Sequence, residues 1–228
     1  AGTVTASIDG NVAQLDDLAA NETNATCIFT IVVDDAATVT QGKAIVDATN
    51  AGTVDFSAAG LTGALATYIA DGANTVHASL TAIKNKDANV NITITPAIEN
   101  ITADQVTQVN NIAALTAGTV TASIDGNVAQ LDDLAANQTN ATCAFIIIVD
   151  DAVTVAQGKK IVDATSITTV NFSAAGVSDT LANCINNDAV HASLTAIKNK
   201  DIDVNITLAT INTITSTQIT HLNLITDL

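Results

Sequence analysis

The chain has no methionine, no tryptophan and no arginine, a single proline, and aromatic residues at only 2% of its 228 positions. Charge is also sparse and of mostly one sign: 23 carboxylates stand against 7 lysines, for a formal net charge of −16. Without arginine there is no guanidinium fork to grip phosphate or guanine. A chain this acidic repels nucleic acid and anionic membrane surfaces, so nucleic-acid binding is excluded on both counts. No apolar run reaches the roughly 18 to 20 residues of a spanning helix. The sequence opens on Ala1 without the charged and apolar regions of a signal peptide, so a mature or excised soluble piece with no membrane insertion is expected. Three cysteines are an odd number and do not make a disulfide framework.

Catalytic signatures are missing as well. There is no G-x-S-x-G, no P-loop, no G-x-G-x-x-G, no H-E-x-x-H and no C-x-x-C. No catalytic residue, no cofactor and no enzymatic activity are expected. What the chain does have is apolar content, 48% of residues, enough to separate it from disordered sequences.

Internal repetition dominates. Residues 1–27, AGTVTASIDGNVAQLDDLAANETNATC, recur at 117–143 with one change, Glu22 to Gln138. The match continues through VDDA, QGK, IVDAT, FSAAG and HASLTAIKNKD. A shorter unit lies inside each copy. Five-residue windows begin at Val4, Cys27, Val54 and Val90, then at Val120, Cys143, Val170 and Val204. Their first, third and fifth places are apolar and the others mostly polar, the period-two signature of a strand. Between windows the apolar spacing is helical, as in Val12, Leu15 and Leu18, in Val76, Leu80 and Ile83, or in Val106, Val109, Ile112 and Leu115. Thr38 with Gln41, Thr102 with Gln105, Thr154 with Gln157 and Thr215 with Gln218 have the capping-box form of a helix start.

A strand and helix repeated about eight times predict a right-handed α/β solenoid with one parallel sheet. Residues 1–116 would be a first long repeat of four coils and 117–228 a second, in one continuous solenoid. The segment from Gly60 to Thr75, the longest connection, is expected to bulge from one rim as a loop.

The motifs LTAGTVTASIDGNVAQLDDLAA and ITADQVTQVNNIAALTAGT resemble the Thr-, Ala-, Asp- and Asn-rich strand-helix arrays of very large secreted or surface proteins of bacteria, cyanobacteria among them. The resemblance implies an extracellular or cell-surface, extended, non-enzymatic repeat module.

Several residue sets are candidates for more than packing. The acidic pairs that follow a strand, Asp34 with Asp35 and Asp150 with Asp151, could supply oxygens to Ca²⁺, though no calcium-loop motif accompanies them. The bland alternative is negative charge at helix N-termini. Cys27 and Cys143 lie four coils apart, about 19 Å at roughly 4.8 Å per strand, too far to pair; all three cysteines are expected to be buried apolar side chains. His77 and His191 occupy equivalent places and are expected to start helices. The fourth window places, Ser7, Thr30, Ser57, Thr93, Ser123, Ser173 and Thr207, would stack into a surface ladder of hydroxyls able to face ice or a repetitive glycan. Sequons at Asn21, Asn24, Asn91, Asn100, Asn137, Asn140, Asn171 and Asn205 mark sites for glycosylation if the source glycosylates its envelope proteins. The function these features point to is a structural protein of an extracellular surface, sheath, adhesive or filament that associates with itself end to end. A glycan- or ice-binding module or a calcium-stabilised adhesin segment is the alternative.

Overall fold

A computed structural model describes residues 2–18, 25–56, 59–70, 74–135, 141–166, 169–172 and 176–228. In chain order the first copy runs β1 (Gly2–Gly10), α1 (Val12–Leu15), β2 (Ala25–Val33), α2 (Val39–Asp47), β3 (Val54–Asp55), β4 (Leu61–Gly63), α3 (Leu65–Tyr68), α4 (Ala78–Lys86), β5 (Ile92–Ile94) and α5 (Ala103–Leu115). The second runs β6 (Thr119–Gly126), α6 (Val128–Leu131), β7 (Thr142–Val149), α7 (Val155–Asp163), β8 (Val170–Asn171), β9 (Val177–Asp179), α8 (Leu181–Cys184), β10 (Ile185–Asn186), β11 (Ala189–Val190), α9 (Ala192–Lys200), β12 (Ile206–Leu208) and α10 (Ser216–Thr226).

The protein is mixed α/β with parallel strand pairing, but its strands do not form the single sheet expected. Among the described residues they fall into sheets ordered β1-β2-β3, β4-β5-β6-β7-β8 and β12-β9, with an antiparallel β10-β11 pair. The chain divides into two compact units, one of Ala1–Ala97, Thr107–Ala122 and Gln138–Ala144, the other of Ile98–Val106, Ser123–Asn137 and Phe145–Leu228.

In the first unit β1 and β2 pair over nine residues, with Val4 opposite Cys27 and Ser7 opposite Thr30, as the window alignment predicts. The third window does not continue this register, because Val54 lies opposite Ile31 rather than Cys27. The reason is Thr49. Its buried hydroxyl accepts from the Phe29 N–H at 2.8 Å and donates to the Phe29 carbonyl at 3.1 Å. One side chain thus satisfies both backbone groups that a neighbouring strand would otherwise pair. The third strand can therefore join only beyond Phe29. It ends after two residues, where Asp87 Oδ2 accepts from the Phe56 N–H at 2.8 Å.

Gly60 then turns the chain at φ +69°, a conformation L side chains avoid, with the Asn91 carbonyl 2.4 Å from where a Cβ would stand. Over Leu61–Tyr68 the expected loop is instead a strand and a short helix, while 71–73 of it lie outside the described residues. Leu61 pairs with Ile92, and Ile92 in turn with Val120. Leu61, Leu65 and Tyr68 are buried, so this segment carries core rather than bulging from a rim. A three-residue strand has too few places for alternation to reveal it.

The second unit repeats these devices. Thr165 Oγ1 accepts from the Phe145 N–H at 3.0 Å and donates to its carbonyl at 2.9 Å, and Val170 lies opposite Ile147. Asp201 accepts from the Phe172 N–H at 2.7 Å, and Gly176 turns at φ +67°. It departs at the place of Tyr68. Here Cys184 is buried, and a tight hairpin of β10 and β11 turns through Asn187 and Asp188, both at positive φ.

Candidate functional site

The sequence-predicted carboxylates act on helix ends. Asp35 Oδ1 accepts from the backbone N–H of Val12, the first residue of α1, at 2.6 Å. Asp151 Oδ1 does the same for Val128 at the start of α6, at 2.7 Å. Both carboxylates therefore satisfy orphan donors at the positive end of a helix. Their neighbours are placed differently. Partial desolvation, then the adjoining Asp9 carboxylate, hold the Asp34 carboxyl above its ordinary range. Desolvation and Asp125 do the same to Asp150. Among the described residues no group of three or more His, Cys, Asp or Glu side chains gathers as a metal would require.

A third carboxylate of this kind escaped the sequence reading. Asp179 Oδ2 accepts from the Val155 N–H at the start of α7 at 2.9 Å. Burial alone would raise this carboxyl, but hydrogen bonds from Asn183, Val155 and Thr180 bring it below the ordinary value. Its repeat equivalent is Gly63, so α2 has no matching carboxylate at that place.

His77 and His191 are N-caps of α4 and α9, each accepting through Nδ1 from the N–H two residues on, Ser79 or Ser193, at 3.1 Å. His221 Nε2 lies 2.8 Å from Asp188 Oδ1. Cys143 and Cys184 are buried and Cys27 half-buried. Burial, with Asp179 nearby, raises the Cys184 thiol.

The hydroxyl residues stack as the windows suggest only between β1 and β2 among the described residues. Ser7 and Thr30 are opposite each other and exposed. Thr93 instead lies between Thr62 and Thr121, and Thr207 lies opposite Ser178. Ser123 is half-buried, its carbonyl accepting from the Ile98 N–H at 2.9 Å. Ser57 and Ser173 are outside the described residues, as are Asn21, Asn24, Asn137 and Asn140. Asn100, Asn171 and Asn205 are exposed. Asn91 is half-buried and its Oδ1 accepts from the Thr119 N–H at 2.7 Å. The row that does form, Thr62, Thr93 and Thr121, required the register of β4, which pattern alone does not give.

The most distinctive surface comes from the duplication itself. β1 and β6 share the run TVTASIDG, yet their environments differ. Val120, Ala122 and Ile124 are buried in β6, whereas Val4 of β1 is 50% exposed and Ala6 and Ile8 are half-buried. β6 has β5 on one side and β7 on the other; among the described residues β1 is hydrogen-bonded only to β2, the equivalent of β7. At the other end of the repeat β5 lies between β4 and β6, while among the described residues its counterpart β12 has only β9, the counterpart of β4. The apolar residues beside β12 follow suit. Ile101 and Val106 are 3% and 2% exposed, and their equivalents Ile214 and Ile219 are 47% and 49% exposed.

No family model matches this chain, and no curated protein or solved structure matches it.

Proposed function

We propose that the chain is a non-enzymatic structural repeat protein that associates with itself end to end, as a segment of an extracellular surface, sheath or filament. The finer architecture belongs to the same reading, with about eight strand-helix coils continuing as a right-handed α/β solenoid. The observation that carries it is the contrast between β1 and β6, where one sequence is a covered strand in one place and a bare apolar edge in the other. Exposed strand edges with apolar faces are templates for further pairing, and repeat proteins need neighbours or caps at such faces. The extracellular placement rests on the resemblance to secreted and surface repeat arrays, and glycosylation at the exposed sequons Asn100 and Asn171 is compatible with it.

Sedimentation and negative-stain electron microscopy of the full chain across a wide concentration range test this reading. Growth into rods or filaments is expected. A monomer at every concentration would contradict it.

A second reading has one observation in its favour, the in-register threonines Thr62, Thr93 and Thr121. A regular hydroxyl row of this kind could bind a repetitive glycan or ice. Loss of a glycan-array or ice-shaping signal on Thr93→Lys would support it.

A further inference from the structure

β1 and β12 each have one free edge among the described strands, and these edges correspond to the two sides of a junction the protein already contains. In that junction β5 and β6 run parallel, with Ile92 opposite Val120, Thr93 opposite Thr121 and, farther along, Ile98 opposite Ile124. Gly118 comes so close to the turn before β5 that a Cβ would stand 2.2 Å from the Asn89 carbonyl. Gly126 receives Ile101, whose Cγ2 would lie 2.8 Å from a Cβ there. The Thr119 N–H donates to Asn91.

All of these residues except Asn89, whose equivalent is Asp203, are repeated on the free edges. Gly2, Thr3, Val4, Thr5, Ile8 and Gly10 repeat one side of the junction. Asn205, Ile206, Thr207, Ile211 and Ile214 repeat the other. Gly2 is informative because nothing approaches it: a Cβ there would meet no atom within 4 Å, although its twin Gly118 tolerates none.

We propose that the free edge of β1 is occupied by the β12–α10 end of a second copy of this chain, forming a parallel, head-to-tail junction. This rests on the self-association reading above and specifies its partner and register. Ile206 of one copy lies opposite Val4 of the next, Thr207 opposite Thr5 and Ile211 opposite Ile8. Asn205 accepts from the Thr3 N–H, and Ile214 packs over Gly10. The interface is heterologous, using different patches on the two copies, so it propagates rather than closing as a two-fold dimer. Each junction also carries the threonine row on, from Ser178 through Thr207 to Thr5 of the next copy.

The test uses two full-length variants, Gly2→Val on the β1 side and Ile214→Asp on the β12 side. Both positions are exposed, so each variant is expected to keep the wild-type circular dichroism spectrum and melting temperature. Each alone is expected to associate at least about tenfold more weakly than wild type, the scale of losing a central contact. An equimolar mixture is expected to form dimers that grow no further, since one intact edge of each kind remains. Oxidation of a mixture of T5C and T207C chains is expected to give an interchain disulfide between those positions, located by peptide mapping, because in-register parallel neighbours lie within disulfide reach. Wild type that stays monomeric throughout overturns the self-association reading and this junction with it. Wild type that associates while the single variants associate equally well, or while their mixture stays monomeric and no such crosslink forms, overturns the junction alone.

Discussion

Tyr68 is the only tyrosine of the chain, wholly buried, and its hydroxyl donates to the Thr93 carbonyl at 3.1 Å. Burial pushes the phenol well above its ordinary range. Since the folded value lies above the unfolded one, its stabilising contribution is complete below pH about 10 and is lost as pH rises further. Phenolate absorbance is therefore expected to stay flat past that pH and to rise together with unfolding seen by circular dichroism. Tyr68→Ala is expected to cost about 3–5 kcal/mol and Tyr68→Phe about 1 kcal/mol in denaturant unfolding. The paired carboxyls work with the same sign. Asp34 and Asp150 are raised, so they favour the folded state most at acid pH, below the unfolded value near 3.9, and this is lost as pH rises. Asp34→Asn with Asp150→Asn is expected to raise the melting temperature at neutral pH and to leave it unchanged at about pH 3. Thr49→Val keeps the shape but leaves Phe29 N–H and C=O unpaired, an expected loss of about 1–3 kcal/mol.

At the scale of elements, helix starts were the most legible feature of the sequence. All four predicted capping boxes form, with Thr38, Thr102, Thr154 and Thr215 each exchanging hydrogen bonds with the glutamine three residues on. A capping box is a local event fixed by two side chains and their own backbone, so local sequence suffices to find it. Register was legible only where it ran unbroken, between β1 and β2. It was lost after Phe29, where a threonine hydroxyl replaces a strand partner, and at Gly60, where the chain turns into a strand too short to show a period. The two copies also differ in a way that can be transferred. Asp179 and Asn183 serve α7, whereas α2 has Gly63 and Thr67 at those places. The double variant Gly63→Asp with Thr67→Asn is expected to stabilise the protein by about 1 kcal/mol in thermal unfolding. No change, or a loss, would mean that the Asp179 carboxylate contributes nothing at the end of α7.

For the molecule as a whole, the burial of β1 was not legible at all, because its sequence is that of β6 and only a neighbour tells them apart. That neighbour must approach against a net charge of −16 on each chain. Raising ionic strength shortens the screening length from about 10 Å at 0.1 M to about 3 Å at 1 M, so association is expected to strengthen with salt. Sedimentation at several salt concentrations would detect this, and weakening with salt would point to ion pairs rather than apolar strand addition. Hydrogen-deuterium exchange of β1 against protein concentration tests end-to-end association most directly. Peptides reaching Glu22 or Gln138 distinguish the two copies. β1 amides are expected to exchange quickly in dilute solution and to gain protection, approaching that of β6, as concentration rises. Exchange of β1 that does not depend on concentration, while particles grow in the same samples, would contradict end-to-end association.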